Sequence, residues 1–135
     1  MSRMTLALIM ILITLLSLAA CSPGAPKTVA LTEKDANRTV ELSKGGLLEV
    51  TLVGNPTTGF MWEPQSLDAA LLQPKGEVEF TADNTTPGFV GSPGKLTLRF
   101  EAVGSGQTTL KLVYHQPWDT ATPPAQTFEV TVVVK

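Results

Sequence analysis

Lys95-Leu96-Thr97-Leu98-Arg99-Phe100-Glu101-Ala102 carries an apolar side chain at every even position and a polar one at every odd position. A strand turns successive side chains to opposite faces, so a period of two marks one buried face and one wet face. The same alternation recurs in three other runs. Leu48, Val50 and Leu52 alternate with Glu49 and Thr51; Leu110, Leu112 and Tyr114 with Lys111 and His115; Phe128, Val130, Val132 and Val134 with Glu129, Thr131 and Val133. Weaker strands are expected near Val29–Thr32, Arg38–Leu42, Phe60–Glu63 and Val78–Thr81, and a short helical turn within Ser66–Leu72. Turn residues separate the runs: Lys44-Gly45-Gly46, Gly54-Asn55-Pro56, Thr86-Pro87-Gly88, Gly91-Ser92-Pro93-Gly94 and Gly104-Ser105-Gly106. No segment sustains a useful 3.6-residue apolar stripe. The pattern predicts an all-β domain, an immunoglobulin-like antiparallel β-sandwich of seven to eight strands.

Composition narrows what such a domain can do. A chain of 135 residues has room for one domain and a tail. Its formal net charge of −2 gives no basic surplus for nucleic acid. One Cys cannot form an intramolecular disulfide, and one His cannot build a His-rich metal site, so no metal or cofactor is expected. A catalytic triad would need His115 beside a Ser and a carboxylate. Ser92, Ser105 and Asp119 lie in loops, but none has a nucleophile context such as G-x-S-x-G. Glu77 and Glu79, two apart on one expected strand face, suit a solvated strand as readily as a paired-carboxylate site.

The amino terminus reads as an address. Met1-Ser2-Arg3 is basic, Met4–Leu18 is apolar apart from Thr5, Thr14 and Ser17, and small residues follow. That order describes an export signal, and the run is short for a spanning helix. Leu18-Ala19-Ala20-Cys21 resembles the bacterial lipobox, in which cleavage precedes a Cys that carries diacylglycerol; the alternative is an ordinary secretory signal with an incidental thiol. Acyl chains contribute roughly 0.8 kcal/mol per buried CH₂, enough for two or three to hold a domain on a bilayer. Ser22 after the Cys resembles lipoproteins routed to the outer membrane. The expected organisation is a lipoprotein signal peptide over 1–20, a lipidated tether over 21–29 and a globular domain over 30–135, anchored in a bacterial cell envelope.

Rigid and aromatic residues collect in three loops. In Asn55-Pro56-Thr57-Thr58-Gly59-Phe60, Pro56 fixes φ near −65°, the β-branched threonines are stiff, and Gly59 permits positive φ. Asn55 can close the turn onto its own backbone. Such a loop loses little entropy on docking, though a well-made turn needs no partner. A second loop, Asn84 to Gly94, holds Phe89 and Val90, which either pack onto the core or face a partner. A third, His115-Gln116-Pro117-Trp118-Asp119 through Pro123-Pro124, holds a Trp that either anchors an interface or caps the core. Trp62, at strand spacing from Phe60, is assigned to the core. In a sandwich of this strand order the three loops gather at one end.

Asn55-Pro56-Thr57-Thr58-Gly59-Phe60 resembles the N-P-T-T-G-[YF] motif of the chagasin-like inhibitors of papain-family cysteine peptidases. His115-Gln116-Pro117-Trp118 is similar to their R-P-W motif, and Gly91-Ser92-Pro93-Gly94 to their G-x-G-G motif. The likeness spans about Leu31 to Lys135 and departs from the pattern at Gln116, where the motif has Arg, and at Pro93, where it has Gly. The resemblance implies an inhibitor and not an enzyme, with three loops forming a wedge across the peptidase cleft. Thr57 and Thr58 would lie over the enzyme's catalytic Cys and His, Trp118 would stack on aromatic residues of the primed side, and Phe89–Gly94 would touch the opposite rim. The implied partners are a papain-family cysteine peptidase and, through Cys21, a lipid bilayer, with the protein acting as a monomer. The competing reading is a non-inhibitory envelope module that binds a glycan or another envelope protein.

Overall fold

The computed structural model describes residues 24–135, so the expected signal peptide over 1–20 and Cys21 lie outside the described residues. Among the described residues nine strands form two facing sheets: β1 (Thr28–Thr32), β2 (Thr39–Leu42), β3 (Leu47–Gly54), β4 (Met61–Ser66), β5 (Leu72–Pro74), β6 (Glu79–Ala82), β7 (Gly94–Ala102), β8 (Gly106–His115) and β9 (Gln126–Val134). One sheet runs β1-β3-β7, with β5 and β6 both paired to the outer edge of β7; the other runs β2-β9-β8-β4. The alternating runs do what their period requires. Leu48, Val50 and Leu52 of β3 and Leu96, Leu98 and Phe100 of β7 face inward against Leu110, Leu112 and Tyr114 of β8 and Phe128, Val130 and Val132 of β9. Each such side chain stabilises the fold by about 1.5–3 kcal/mol on burial. Trp62 completes this core, as its spacing predicts. On the wet face of the first sheet, Arg99 bridges Glu49 and Glu79 at 2.9 Å each, tying β3, β7 and β6 across.

Four details depart from the sequence reading. Two edge pairs are parallel, β1 with β3 and β2 with β9, because the chain crosses between sheets through the 3₁₀ turn Glu33–Asp35 and does not fold back as a hairpin. The short turn expected within Ser66–Leu72 is present, the Asp68 carbonyl accepting from the Leu71 and Leu72 amides at 3.0 and 2.9 Å, but the chain then enters β5, a strand that the sequence pattern does not predict. Glu77 precedes β6, so it shares no strand face with Glu79. The sheet begins at Thr28, which pairs with Leu47, so the domain takes in Thr28 and Val29, which the expected boundary at residue 30 leaves out.

Register gathers the loops. In the first sheet Gly54 pairs with Gly94, so the chain leaves β3 and enters β7 at one level. In the second, Met61 pairs with His115, so it enters β4 and leaves β8 at the same end. The connections β3–β4, β6–β7 and β8–β9 therefore emerge at a single pole.

Candidate functional site

The first loop is built around Asn55. Its backbone is extended (φ −139°, ψ 96°) and its Oδ1 accepts from the Thr57 amide at 3.2 Å and the Thr57 hydroxyl at 2.6 Å. The Asn55 carbonyl accepts from the Thr58 amide at 3.2 Å and the Thr58 hydroxyl at 2.6 Å, winding Pro56–Thr58 into a 3₁₀ turn. Gly59 ends the turn at φ 80°, a conformation that costs an L-residue with a Cβ roughly 1–2 kcal/mol. Below, the Asn55 amide donates to the Tyr114 hydroxyl at 2.8 Å, and Phe60 turns inward with its ring 5.3 Å from Tyr114. The turn thus stands on the last inward aromatic of β8.

The other loops are fastened to the first. Asn55 Nδ2 donates to the Gly91 carbonyl at 3.0 Å, joining the second loop. Gln116 Nε2 donates to the Thr58 carbonyl at 3.2 Å, joining the third. The Trp118 ring lies over Gly59 so closely that a Cβ there would collide with it, so this glycine is required for space as well as for φ. Within the third loop, Asp119 Oδ1 accepts from the Ala121 and Thr122 amides at 3.1 Å each. Hydrogen bonds from Thr122, then Ala121, hold the Asp119 carboxyl below the usual carboxylate range.

The expected site residues divide by placement. Thr57, Thr58, Phe89, Gly91, Pro93, Pro117 and Trp118 are exposed at the pole, with Asn55, Pro56, Gly59 and Gln116 half-buried among them. Three of the sequence-proposed contact residues face inward. Phe60 packs on Tyr114; Ser92 is buried, its hydroxyl accepting from the Asn84 amide at 3.1 Å and donating to the Pro93 carbonyl at 2.8 Å; and Gly94 is a β7 residue with β6 backbone where a side chain would be. These three shape the loops from beneath. The two open alternatives resolve outward: Phe89 is 55%, Val90 88% and Trp118 70% exposed, more than any other large apolar side chain among the described residues. Val90, which the sequence leaves open together with Phe89, belongs to this surface. The signal for it was an apolar pair between two glycines. In sequence Tyr114 is an ordinary strand residue, and its role as the post under Asn55 shows only in three dimensions.

Nothing at this pole has the arrangement of a hydrolase. His115 Nε2 lies 2.8 Å from Glu63 Oε2 of the neighbouring strand, while the Ser92 hydroxyl is engaged with Asn84 and Pro93. Among the described residues no three metal-ligating side chains cluster. What the pole can offer a partner is shape: a prestructured turn flanked by apolar side chains.

A family model described as "Chagasin family peptidase inhibitor I42" matches residues 41–132. Amoebiasin-1 of Entamoeba histolytica is 36% identical over 90 residues, covering 67% of this chain and 84% of the relative. Amoebiasin-2 of the same organism is 28% identical over 105 residues, covering 78% and 84%. The crystal structure of a cysteine protease inhibitor from Entamoeba histolytica superimposes with a TM-score of 0.70 at 27% identity, covering 81% of this chain and 96% of that one.

Proposed function

The chain belongs to the chagasin family of peptidase inhibitors, whose members are not enzymes, and from that premise we propose that it is a reversible, tight-binding inhibitor of papain-like cysteine peptidases. The three loops at one pole act as the wedge, with Thr57 and Thr58 at its tip and Phe89, Val90 and Trp118 on its flanks. The observation that carries this reading is the concentration of the most exposed large apolar side chains on loops hydrogen-bonded to one another. A monomeric domain rarely leaves such groups in water without a use for them.

The turn also explains how a peptidase would be blocked without being fed a substrate. Attack on a peptide requires the reacting atoms to approach at about 3–3.5 Å with aligned orbitals. Pro56–Thr58 is wound into a 3₁₀ turn, and the Thr58 carbonyl already accepts from Gln116. Both threonine hydroxyls are spent on Asn55, so methyl groups and a rigid backbone would fill the cleft. Presenting an extended, scissile bond would require breaking these hydrogen bonds together.

The proposal includes lipid anchorage through Cys21 in a bacterial envelope, at the outer membrane, with the protein a monomer. The Leu18-Ala19-Ala20-Cys21 motif and Ser22 support it. So does the direction of β1: it runs parallel to β3, so its tether end lies at the pole opposite the loops and an anchored domain would point its wedge away from the bilayer.

Titrating papain, with trypsin as control, against residues 21–135 carrying Cys21→Ser tests the function. Papain activity should fall in proportion to added protein while trypsin is untouched. Full papain activity at large excess would sink the proposal and favour the non-inhibitory envelope module. In the full chain, Cys21→Ser should abolish fatty-acid labelling and detergent partitioning; unchanged labelling would reject the anchor.

A further inference from the structure

We infer that Gln116 is a positioning residue that brackets the third loop against the first and so sets where the Trp118 ring stands relative to Thr57 and Thr58. The inference rests on the wedge reading above for its consequence, though not for its geometry. Gln116 is the first residue after β8, whose last residue, His115, is held in the ladder opposite Met61. From that fixed point the side chain reaches across to the Thr58 carbonyl at 3.2 Å. The next peptide onward from Thr58 is Gly59, and the Trp118 ring rests on it. Two contacts thus close a bracket: amide to carbonyl at the base, ring on glycine at the top.

Little between them can flex. Pro117 has its φ locked by its ring, and the Asp119 amide closes a turn onto the Gln116 carbonyl at 3.0 Å. The neighbouring His115 turns its Nε2 to Glu63 at 2.8 Å, away from this contact. Beyond Asp119 the loop is exposed through much of its return until the Ala125 amide reaches the Tyr114 carbonyl at 2.9 Å. Without the Gln116 hydrogen bond, one side of the bracket would be lost and Trp118 would sample several positions. A partner that needs one of them would then meet a smaller competent fraction of molecules, which lowers the apparent association rate.

The test uses residues 21–135 with Cys21→Ser, labelled with 5-fluorotryptophan so that buried Trp62 and exposed Trp118 give separate ¹⁹F resonances. Variants Gln116→Ala and Gln116→Glu remove the N–H donor, and Gln116→Arg retains one of similar reach. In the free protein, the Ala and Glu variants should move or broaden the Trp118 resonance and leave that of Trp62 in place, and the Arg variant should restore it. Stopped-flow binding to papain should show association slowed about fivefold in the Ala variant, the scale of one exposed hydrogen bond, with urea midpoints unchanged. An unmoved Trp118 resonance in the Ala and Glu variants overturns the inference, whatever happens to binding. So does a loss confined to the dissociation rate, which would make Gln116 a direct contact. If the parent protein does not bind papain, the function fails while the resonance still decides whether the bracket exists.

Discussion

Leu98 and Trp118 are both large apolar residues, yet they live under opposite rules. Leu98 sits on β7 with its neighbours Leu96 and Phe100, sealed between two sheets; Trp118 stands 70% exposed on a loop. The core is held by burial, and its alternation leaves each strand little choice of face. The loop pole is held by hydrogen bonds and by glycine geometry: Asn55 to Gly91, Gln116 to Thr58, Gly59 beneath the indole. Because the two regions draw on different interactions, stability and recognition should be separable by mutation.

The largest effect expected is Leu98→Ala, which should cost about 2–5 kcal/mol of stability through the cavity it leaves. Urea denaturation would show it, and inhibition should weaken only by the unfolded fraction. Trp118→Ala should reverse the pattern, costing about 2 kcal/mol or more in binding, roughly thirtyfold in the inhibition constant. Its urea midpoint should stay within about 0.5 kcal/mol of the parent. If Trp118→Ala unfolds the domain as badly as Leu98→Ala, the separation between the regions collapses. Gly59→Val tests the boundary itself. A β-branched residue at positive φ costs about 1–3 kcal/mol, and the new side chain would push against Trp118, so both the midpoint and the inhibition constant should worsen. A variant that binds normally would show that Trp118 need not rest on this glycine.

The smallest expected effect concerns Asp119. Its folded-state pKa is lowered by hydrogen bonds from Thr122 and Ala121, so its contribution is present in full above the ordinary carboxylate range. It is lost as pH falls through the lowered folded value. Hydrogen exchange at the Ala121 and Thr122 amides should therefore quicken only in acid, with the core amides unaffected. Exchange that is independent of pH after correction for intrinsic rates would remove Asp119 from the loop's support.

The strands that face both core and water were legible because their period is a local property. The expected run 95–102 is β7 to within one residue, and Leu110–His115 is the loop-proximal half of β8. β5 was missed because three residues cannot display an alternation, and its flanks resembled a helical turn. The first loop was legible for a similar reason: Pro56 and Gly59 constrain their own backbone, and Asn55 does close onto Thr57. The second loop was less so, since Ser92 and Phe89 sit three residues apart in similar turn-rich chain while one is buried and the other exposed.

By itself, then, the order of residues determined which side chains each long strand turns inward, how the Asn55–Gly59 turn is wound, and to which family the chain belongs. These depend on periods, on φ restrictions and on motifs, all read within a few neighbouring positions. Only the tertiary structure decided that β1 and β2 pair in parallel, that Tyr114 supports Asn55, that Val90 joins the apolar surface, and that Gln116 and Trp118 close on Thr58 and Gly59. Alternation gives a strand its faces but not its neighbour. The contacts that fasten the third loop to the first join residues some 58 positions apart in the chain, as Gln116 and Thr58 are, and such contacts exist only once both sheets are in register.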